Sequence, residues 1–476
     1  MIWSLLAGAL PVLAFPRPDL GWLAWAALVP GLLLARSAPS NARALRRGWC
    51  FGAGYLLAAL YWTVPNIGPA LLLVALVFGA PWAAWGVAAR ACRGWEALLV
   101  LPAVWVVGEY LRSWQGFGGP WALYGASQWR YPAVLSLASV GGVWLLSFVL
   151  VLVNTALALA LTRFDRRVLL VVPAVALCLP LAWWAGGTGS GGRPWRVALV
   201  QPGVIHSPAE RFAAEERISA GVTGADLIVW GESSVGTDLS RAPELRGRLA
   251  GLGTVLVNED ARDARGRISK SSVLLVDGVE RGRYVKTRLV PFGEYIPLRP
   301  ALGWLSGISE AAAEDRVPGT GSKVLDVEGM PVAPLICFES AFPDLGRAAV
   351  DGGARVIVVQ SSTSTFQGSW APPQHAALAA VRAAETGRPV VQAALTGVSA
   401  AFDARGRRLA WADTGERGAV TVTLRPPAAG SRTPYTVLGD VVPLLCVLLV
   451  AGLGVRPLAE KSMRVGQEQG FTGPDL

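Results

Sequence analysis

Three residues in the polar part of the chain, Glu232, Lys286 and Cys337, have side chains that could together perform acyl chemistry. Cys337 ends an apolar run, PVAPLICFES (331–340), and a polar stretch with helical character follows Ala341. A cysteine between a short buried strand and a helix is well placed to act as a nucleophile, and the positive end of the helix favours its thiolate. The alternative is a small buried apolar residue, which is what most free cysteines are.

Glu232 and Lys286 are candidates to assist that thiol. Glu232 closes the run DLIVWGE (226–232), and Lys286 leads into PFGEYIP (291–297), which contains Glu294. A carboxylate can act as the base that a thiol nucleophile needs, and an ammonium group can hold developing oxyanion charge. Taken singly, each residue also has an ordinary structural interpretation: a helix cap for Glu232, a surface charge for Lys286 and a solvated turn for Glu294.

The cysteine, histidine and lysine residues of the chain limit the kinds of site that are possible. Of the five cysteines, only Cys337 lies outside the apolar runs, so we expect no disulfide partner for it. The only histidines are His206 and His375, and no CxxC pair occurs, so we expect neither a metal site nor a cofactor. Lysine can exchange a proton where arginine cannot. Only four of the basic residues are lysines: Lys270, Lys286, Lys323 and Lys461.

Hydrophobic composition indicates a membrane protein rather than a soluble one. The mean hydropathy is +0.43 and 53% of the residues are hydrophobic, with 20 tryptophans. Apolar runs of the length needed to cross a bilayer predict a membrane domain at residues 1–186 and an eighth segment near 434–455. The seven predicted segments of the first domain are 1–15, 19–35, 48–64, 68–90, 95–111, 132–162 and 167–186.

The distribution of basic residues predicts the orientation of these segments. One set of alternate loops and the tail 456–476 carry twelve basic residues, and the opposite loops carry only three: Arg17, Arg112 and Arg130. By the positive-inside rule, both termini are cytoplasmic and the long polar region lies on the outer face. The net charge of +10 therefore does not indicate a nucleic-acid partner. Within the membrane part, Glu109 is expected to pair with Arg112.

The polar region reads as one α/β domain at residues 193–430, joined to the membrane domain by a Gly-rich linker at 187–192. Helical periodicity is found at 208–220, 242–250, 341–351 and 372–386. Runs typical of strands are 196–201, 226–230, 254–258, 272–277, 332–336, 355–360, 390–394, 398–403 and 419–424.

Three motifs in this order, WGES (230–233), YVKTRLVPFGEYIPL (284–298) and PLICFES (334–340), resemble the carbon-nitrogen hydrolase (nitrilase) superfamily. Three flanking stretches make the whole chain similar to the apolipoprotein N-acyltransferase family. They are FPRPDLGWLAWAALVPGLL (15–33), GEYLRSWQGFGGPWALYGASQ (108–128) and RTPYTVLGD (432–440). The resemblance implies an α-β-β-α sandwich whose active site opens toward the membrane, in the bacterial cytoplasmic membrane.

The same resemblance implies roles for individual residues. Glu232 corresponds to the general base, Lys286 to the triad lysine and Cys337 to the nucleophile. Glu294 and Glu339 match supporting positions, and Phe338 supports the site through its backbone N–H, which is expected to hold the oxyanion together with Lys286. The implied reaction moves an acyl chain from a phospholipid, through a thioester, to the α-amine of a diacylglyceryl-cysteine on an apolipoprotein. The remaining alternatives are a membrane-anchored amidase that uses water, and a non-enzymatic scaffold. We expect a monomer.

The chain departs from the family pattern at three places, where donor or acceptor preference is expected to differ. Phe338 follows the nucleophile where tyrosine is common, Phe212 stands near a frequent tryptophan, and 360–366 replaces an Asn-Asp-x-Trp segment. His375 is expected to be structural, because the family's chemistry does not need it.

Overall fold

Residues 195–424 form two six-stranded sheets that pack face to face. The computed structural model describes residues 1–117, 119–162, 165–187, 192–262, 265–307 and 314–452. The strands are β1 Trp195–Gln201, β2 Leu227–Val229, β3 Thr254–Arg262, β4 Ile268–Val276, β5 Val279–Val285, β6 Leu325–Val327, β7 Met330–Ile336, β8 Val356–Ser361, β9 Val390–Ala394, β10 Ser399–Phe402, β11 Arg408–Ala412 and β12 Gly418–Leu424. Their orders are β12-β1-β2-β3-β4-β5 and β11-β10-β9-β8-β7-β6.

The helices flank these sheets and build the N-terminal part. They are α1 Ile2–Ala9, α2 Val29–Arg36, α3 Asn41–Leu60, α4 Val64–Ile67, α5 Ala70–Gly79, α6 Pro81–Ala91, α7 Ala97–Arg112, α8 Pro132–Leu135, α9 Ala138–Leu161, α10 Val171–Ala185, α11 Pro208–Ala220, α12 Pro243–Ala250, α13 Arg299–Leu302, α14 Pro343–Asp351, α15 Ala371–Thr386, α16 Pro434–Leu438 and α17 Val441–Gly452. Short 3₁₀ turns connect several of them, including Cys337–Ala341.

Alternation along the strands produces a layered α-β-β-α sandwich. In β8, Val356 and Val358 join the core between the two sheets, whereas Ile357 and Val359 face the helix layer of α14 and α15. Successive side chains of a strand point to opposite faces, so an all-apolar strand can serve two cores at once. Helices α11 and α12 cover the other sheet through a third cluster. The sandwich inferred from the family resemblance is therefore present.

Helix α15 connects the sandwich to the N-terminal helices. All of its residues are buried except Pro373, because the second sheet lies on one side and α9 on the other. Helix α9 breaks at Gly141 and Gly142, and Gly142 has φ +69°, which frees backbone N–H groups. The carboxylate of Glu385 on α15 accepts the freed N–H of Val143 at 2.8 Å, as a capping anion does at a helix N-terminus.

Two helical stretches are each long and apolar enough to cross a membrane by themselves, within the described residues. They are Ala138–Leu161 and Arg166–Ala185, and the bent pair α5 and α6 would make a third span. These correspond to the predicted segments 132–162, 167–186 and 68–90. Shorter apolar helices lie at Ile2–Ala14, Gly21–Arg36 and Val441–Gly452, so the set of eight spans stays a prediction.

Several details differ from the sequence-based expectations. Strands β5, β6 and β11 were not predicted, and β4 begins four residues earlier than expected. The expected ion pair between Glu109 and Arg112 is not formed in the part of the chain that the structure describes; Glu109 instead accepts the N–H of Tyr124 at 2.6 Å. Most of the predicted linker, 188–191, and the tail 456–476 lie outside the described residues.

Candidate active site

Cys337 stands directly after β7, at the first position of the 3₁₀ turn Cys337–Ala341. Its backbone has φ +52°, a left-handed conformation that is uncommon for a residue with a side chain. Such a conformation persists only where surrounding contacts impose it, and it is frequent at functional sites. The sharp turn presents the side chain at the end of the sheet while leaving it partly exposed.

Glu339 imposes this turn from within the protein. Its side chain is fully buried, and one oxygen, Oε2, accepts the N–H of Ile336 at 2.8 Å. The other oxygen, Oε1, accepts four hydrogen bonds at 2.7–3.0 Å, from Tyr284 Oη, Thr287 N, Thr287 Oγ1 and Arg288 N. One carboxylate thus ties the residue before Cys337 to the segment that follows Lys286.

Glu232 reaches the site from the end of β2 in the opposite sheet. The residue before it, Gly231, passes so close to the neighbouring backbone that a Cβ would lie 1.9 Å from Leu395 N, so only glycine fits. The Glu232 backbone N–H donates to Ser361 O, and its Oε2 accepts the N–H of Ser362, both at 3.1 Å. The end of β8 therefore fixes both the backbone and the carboxylate of Glu232.

Lys286 follows β5 and is 1% exposed. Its Nζ lies 3.1 Å from Glu232 Oε1 and 2.9 Å from the carboxylate of Glu294. Glu294 is itself held by the N–H of Val290, which donates to its Oε2 at 2.9 Å. The loop that contains the FGEYIP motif thus supplies a second carboxylate to the same ammonium group. The side chain of Cys337 hydrogen-bonds to Glu232 and lies near Lys286, so the structure brings the three predicted residues together.

Electrostatics set the resting protonation of these groups. The pKa of the Cys337 thiol is raised by burial and then by the charge of Glu232, although Lys286 acts to lower it. Burial opposes the charge of Glu232, but Lys270 and Lys286 outweigh it and hold the pKa of that carboxyl well below its usual range. Glu232 and Glu294 raise the pKa of Lys286 against the effect of burial. Whatever the helix start contributes to the thiolate, burial and the charge of Glu232 raise the pKa of the Cys337 thiol overall in the resting site.

Comparison with known proteins matches both halves of the chain. Residues 7–156 match the apolipoprotein N-acyltransferase N-terminal domain, and residues 196–432 match the carbon-nitrogen hydrolase domain. The apolipoprotein N-acyltransferase of Geobacter metallireducens is 31% identical over 446 residues, which is 85% of this chain and 85% of that protein. The chain belongs to the apolipoprotein N-acyltransferase family. The family member from Azotobacter vinelandii is 32% identical over 453 residues, again 85% of each chain.

Among solved structures, an amidase from Nesterenkonia sp. aligns with 48% of this chain and 90% of its own, at 19% identity and a TM-score of 0.36.

In this member of the N-acyltransferase family, the site contains a second lysine, Lys270, which the sequence motifs did not predict as a site residue. Lys270 in β4 is buried, and its Nζ lies 3.0 Å from Glu232 Oε1, the oxygen that Lys286 also contacts. Asp260, 3.5 Å from the same Nζ, is paired with Arg316 at 3.0 Å. The scarcity of lysine could have indicated Lys270, since two of the four lysines in the sequence contact this one carboxylate.

Two of the three departures from the family pattern have a structural role here. Gln360 is buried between the sheets, where its Nε2 donates to Trp230 O at 2.9 Å and to Leu256 O at 3.1 Å. It thereby fastens the strand that carries Glu232 to β8. Phe212 packs edge to face on Trp230 with ring centroids 5.2 Å apart. Both residues support the strand behind Glu232.

Phe338 and His375 form the wall between the site and the loop before α8. The ring of Phe338 lies so near Gly119, which has φ +80°, that a Cβ there would approach within 2.8 Å. His375 is buried, stacks on Trp121 at 6.1 Å and has its Nε2 3.3 Å from Ser340 Oγ. Burial lowers the pKa of His375. No group of three or more His, Cys, Asp or Glu side chains within the described residues could hold a metal ion.

Proposed function

We propose that this protein transfers an acyl chain from a membrane phospholipid, through a thioester on Cys337, to the α-amine of the N-terminal diacylglyceryl-cysteine of an apolipoprotein. The observation that carries the proposal is the convergence of Cys337, Glu232 and Lys286 at the ends of β7, β2 and β5. The names of the relatives supply the acceptor class, since they are apolipoprotein N-acyltransferases. The family resemblance supplies the phospholipid donor.

The first half-reaction begins from a protonated thiol and an ionised Glu232. Because the pKa of Cys337 is raised and that of Glu232 is lowered, the thiol gives up its proton only as sulfur attacks the ester carbonyl. The S–H bond breaks, an O–H bond forms on Glu232, and the carbonyl oxygen becomes an oxyanion. Lys286 and the backbone N–H of Phe338 are the donors proposed to hold that charge.

Collapse of this intermediate releases lysophospholipid, whose leaving oxygen takes the proton back from Glu232. The thioester that remains splits one transfer into two easier steps. In the second half, the neutral α-amine attacks the thioester carbon, and Glu232 accepts a proton from nitrogen. That proton passes to the departing sulfur, so an amide forms and Cys337 returns to the thiol.

The proposed setting is a bacterial cytoplasmic membrane, with eight spans, both termini inside and the sandwich on the outer face. The basic loops support it: Arg36 Nη1 donates to Cys92 O at 2.7 Å, and Arg90 Nε donates to Ala38 O at 2.9 Å. The Arg-rich loops after α2 and α6 therefore meet at one end of the helices. A common cytoplasmic side for these loops is what the positive-inside rule requires.

The decisive experiment is mass detection of an acyl adduct on Cys337 after incubation of the purified protein with phospholipid. We expect one acyl chain on the peptide that contains Cys337, and its loss when a diacylglyceryl lipopeptide with a free α-amine is added. The Cys337→Ala protein is the matched control. An adduct that persists in Cys337→Ala, or hydrolysis of small amides without transfer to the lipopeptide, would contradict the proposal; the second result would favour the amidase alternative.

A further inference from the structure

Lys270 is placed where it acts on the carboxylate of Glu232. It lies in β4 opposite Asp260 of β3, and its carbonyl accepts the backbone N–H of Lys286 at 2.9 Å. The side chain is 6% exposed, and its Nζ donates to Ser233 Oγ at 2.7 Å in addition to the contact with Glu232. Two ammonium groups thus approach the same oxygen, Oε1 of Glu232, from neighbouring strands.

Both ammonium groups are needed to balance the negative charge around Glu232. The carboxylates of Glu232, Glu294 and Asp260 lie within 4.0 Å of Lys270 Nζ. Three cations balance them, because Lys286 contacts Glu232 and Glu294, and Arg316 contacts Asp260. Without Lys270, three largely buried carboxylates would share two cations. Burial and like charge both favour protonation of a carboxylate, so the unbalanced cluster would take up a proton.

We propose that Lys270 is a positioning residue for acyl transfer: its ammonium group keeps Glu232 ionised and oriented toward the Cys337 thiol, which leaves Lys286 free to hold the substrate oxyanion. The proposal rests on the function proposed above. When an oxyanion forms, Lys286 can exchange its contact with Glu232 for the new charge, because Lys270 still compensates that carboxylate. The proton moves from Cys337 Sγ to Glu232, and Lys270 donates hydrogen bonds to that carboxylate throughout.

The charged and titratable groups that act on Glu232 come from several elements. Lys270 and Lys286 are the nearest cations, at 3.0 and 3.1 Å. The others are Asp260 on β3, Glu294 in the loop after β5, Arg316, Cys337 after β7 and His375 on α15. Of these, Lys270 can be neutralised without removing the ammonium group proposed to bind the oxyanion.

The test is the pH dependence of Cys337 alkylation by a short pulse of iodoacetamide, followed by peptide mass from about pH 2 to about pH 9. In the unmodified chain the pKa of Glu232 lies well below its usual range, so we expect the acid limb of the alkylation rate at the low end of the measured range or below it. Lys270→Met should move this limb upward by about one to three pH units, into the measured range, because one opposite charge within about 4–6 Å has been removed. Lys270→Arg keeps the charge and should leave the limb near its native position. Lys323→Met removes an exposed lysine and is the matched control.

A Lys270→Met protein whose acid limb coincides with that of the unmodified chain overturns the proposal. If that variant does not fold, Arg316→Met tests the same charge balance, since it removes a cation that acts on Glu232 and is more exposed than Lys270. The acid limb should again move to higher pH, and an unmoved limb overturns the proposal. Alkylation requires no lipid, so absence of an acyl adduct would count against the proposed function while leaving the role of Lys270 testable.

Discussion

Replacing Glu339 by glutamine tests whether one buried carboxylate holds the nucleophile in place. A glutamine offers one acceptor oxygen and one NH₂ group. The favourable orientation keeps the oxygen where Oε1 accepts four hydrogen bonds, which puts the NH₂ group 2.8 Å from the N–H of Ile336. Two donors then face each other, and the N–H of Ile336 is left unpaired in the core. An unsatisfied buried donor costs about 1–3 kcal/mol.

That strain falls on the residue next to Cys337, whose φ of +52° depends on the turn. A displacement of about 1 Å at a reacting atom can lower a rate by about 100-fold. We therefore expect Glu339→Gln to fold with a lowered midpoint of thermal unfolding and to form the Cys337 acyl adduct about 100-fold more slowly. The assay is single-turnover adduct formation by mass, alongside thermal unfolding in the same detergent.

Glu210→Gln, which changes an exposed carboxylate in the first turn of α11, is the matched control. If Glu339→Gln forms the adduct at a rate within about threefold of the control, Cys337 has not been displaced enough to slow the reaction. Glu339 would then not be what holds Cys337 in place.

Three further predictions follow from the same contacts. Lys286→Met should lower the unfolding midpoint far more than Lys323→Met and abolish the adduct, because the buried Glu294 loses its nearest cation and the removal of one partner from a buried ion pair costs about 3–5 kcal/mol; equal midpoints would refute it. Glu232→Gln should make the stability of the fold less sensitive to acid. The pKa of Glu232 is lower in the folded protein than its unfolded value of about 4.5, so its ionised carboxylate stabilises the fold fully above that pH. This stabilisation is lost as the pH falls toward the folded pKa. The gap in unfolding midpoint between this variant and the unmodified chain should therefore shrink on acidification, and a constant gap contradicts the assignment. Gly231→Ala should prevent folding or remove the adduct because its Cβ would meet Leu395 N, whereas Gly247→Ala in α12, where nothing lies within 4 Å, should be tolerated in both assays.

The ends of β2 and β7 were predictable to within one residue because each is a short apolar run, followed closely by Gly231 and Glu232 after β2 and by Glu339 after β7. The helix at 208–220 was predicted with its observed bounds, since Ser207 accepts the N–H of Glu210 as an N-cap and Pro208 takes the first position. The WGES and PLICFES motifs placed Glu232 and Cys337 correctly at strand ends. The local sequence pattern was sufficient to predict an element wherever the apolar residues and the capping residues indicated the same bounds.

The parts that could not be predicted depend on partners distant in sequence. Strand β5 reads VERGRYV, and its Arg283 pairs with Glu259 of β3 as well as with Glu280 of its own strand. Strand β4 was placed too late because Lys270 interrupts its apolar run, although this lysine is neutralised by carboxylates from other strands. The left-handed backbone of Cys337 likewise depends on Glu339 and its donors across the site, which no local pattern reveals.

Helix α15 has a practical consequence for anyone who wishes to isolate the sandwich. Its two apolar sides are satisfied by different halves of the chain, the second sheet and α9, which is more than two hundred residues earlier in the sequence. A fragment cut at residue 193 would retain the sheet but expose the opposite side of that helix, together with the carboxylate of Glu385 that caps α9. Exposed apolar surface of this kind promotes aggregation. We therefore expect the isolated sandwich to aggregate in water, so that an assay of Cys337 requires the N-terminal helices as well.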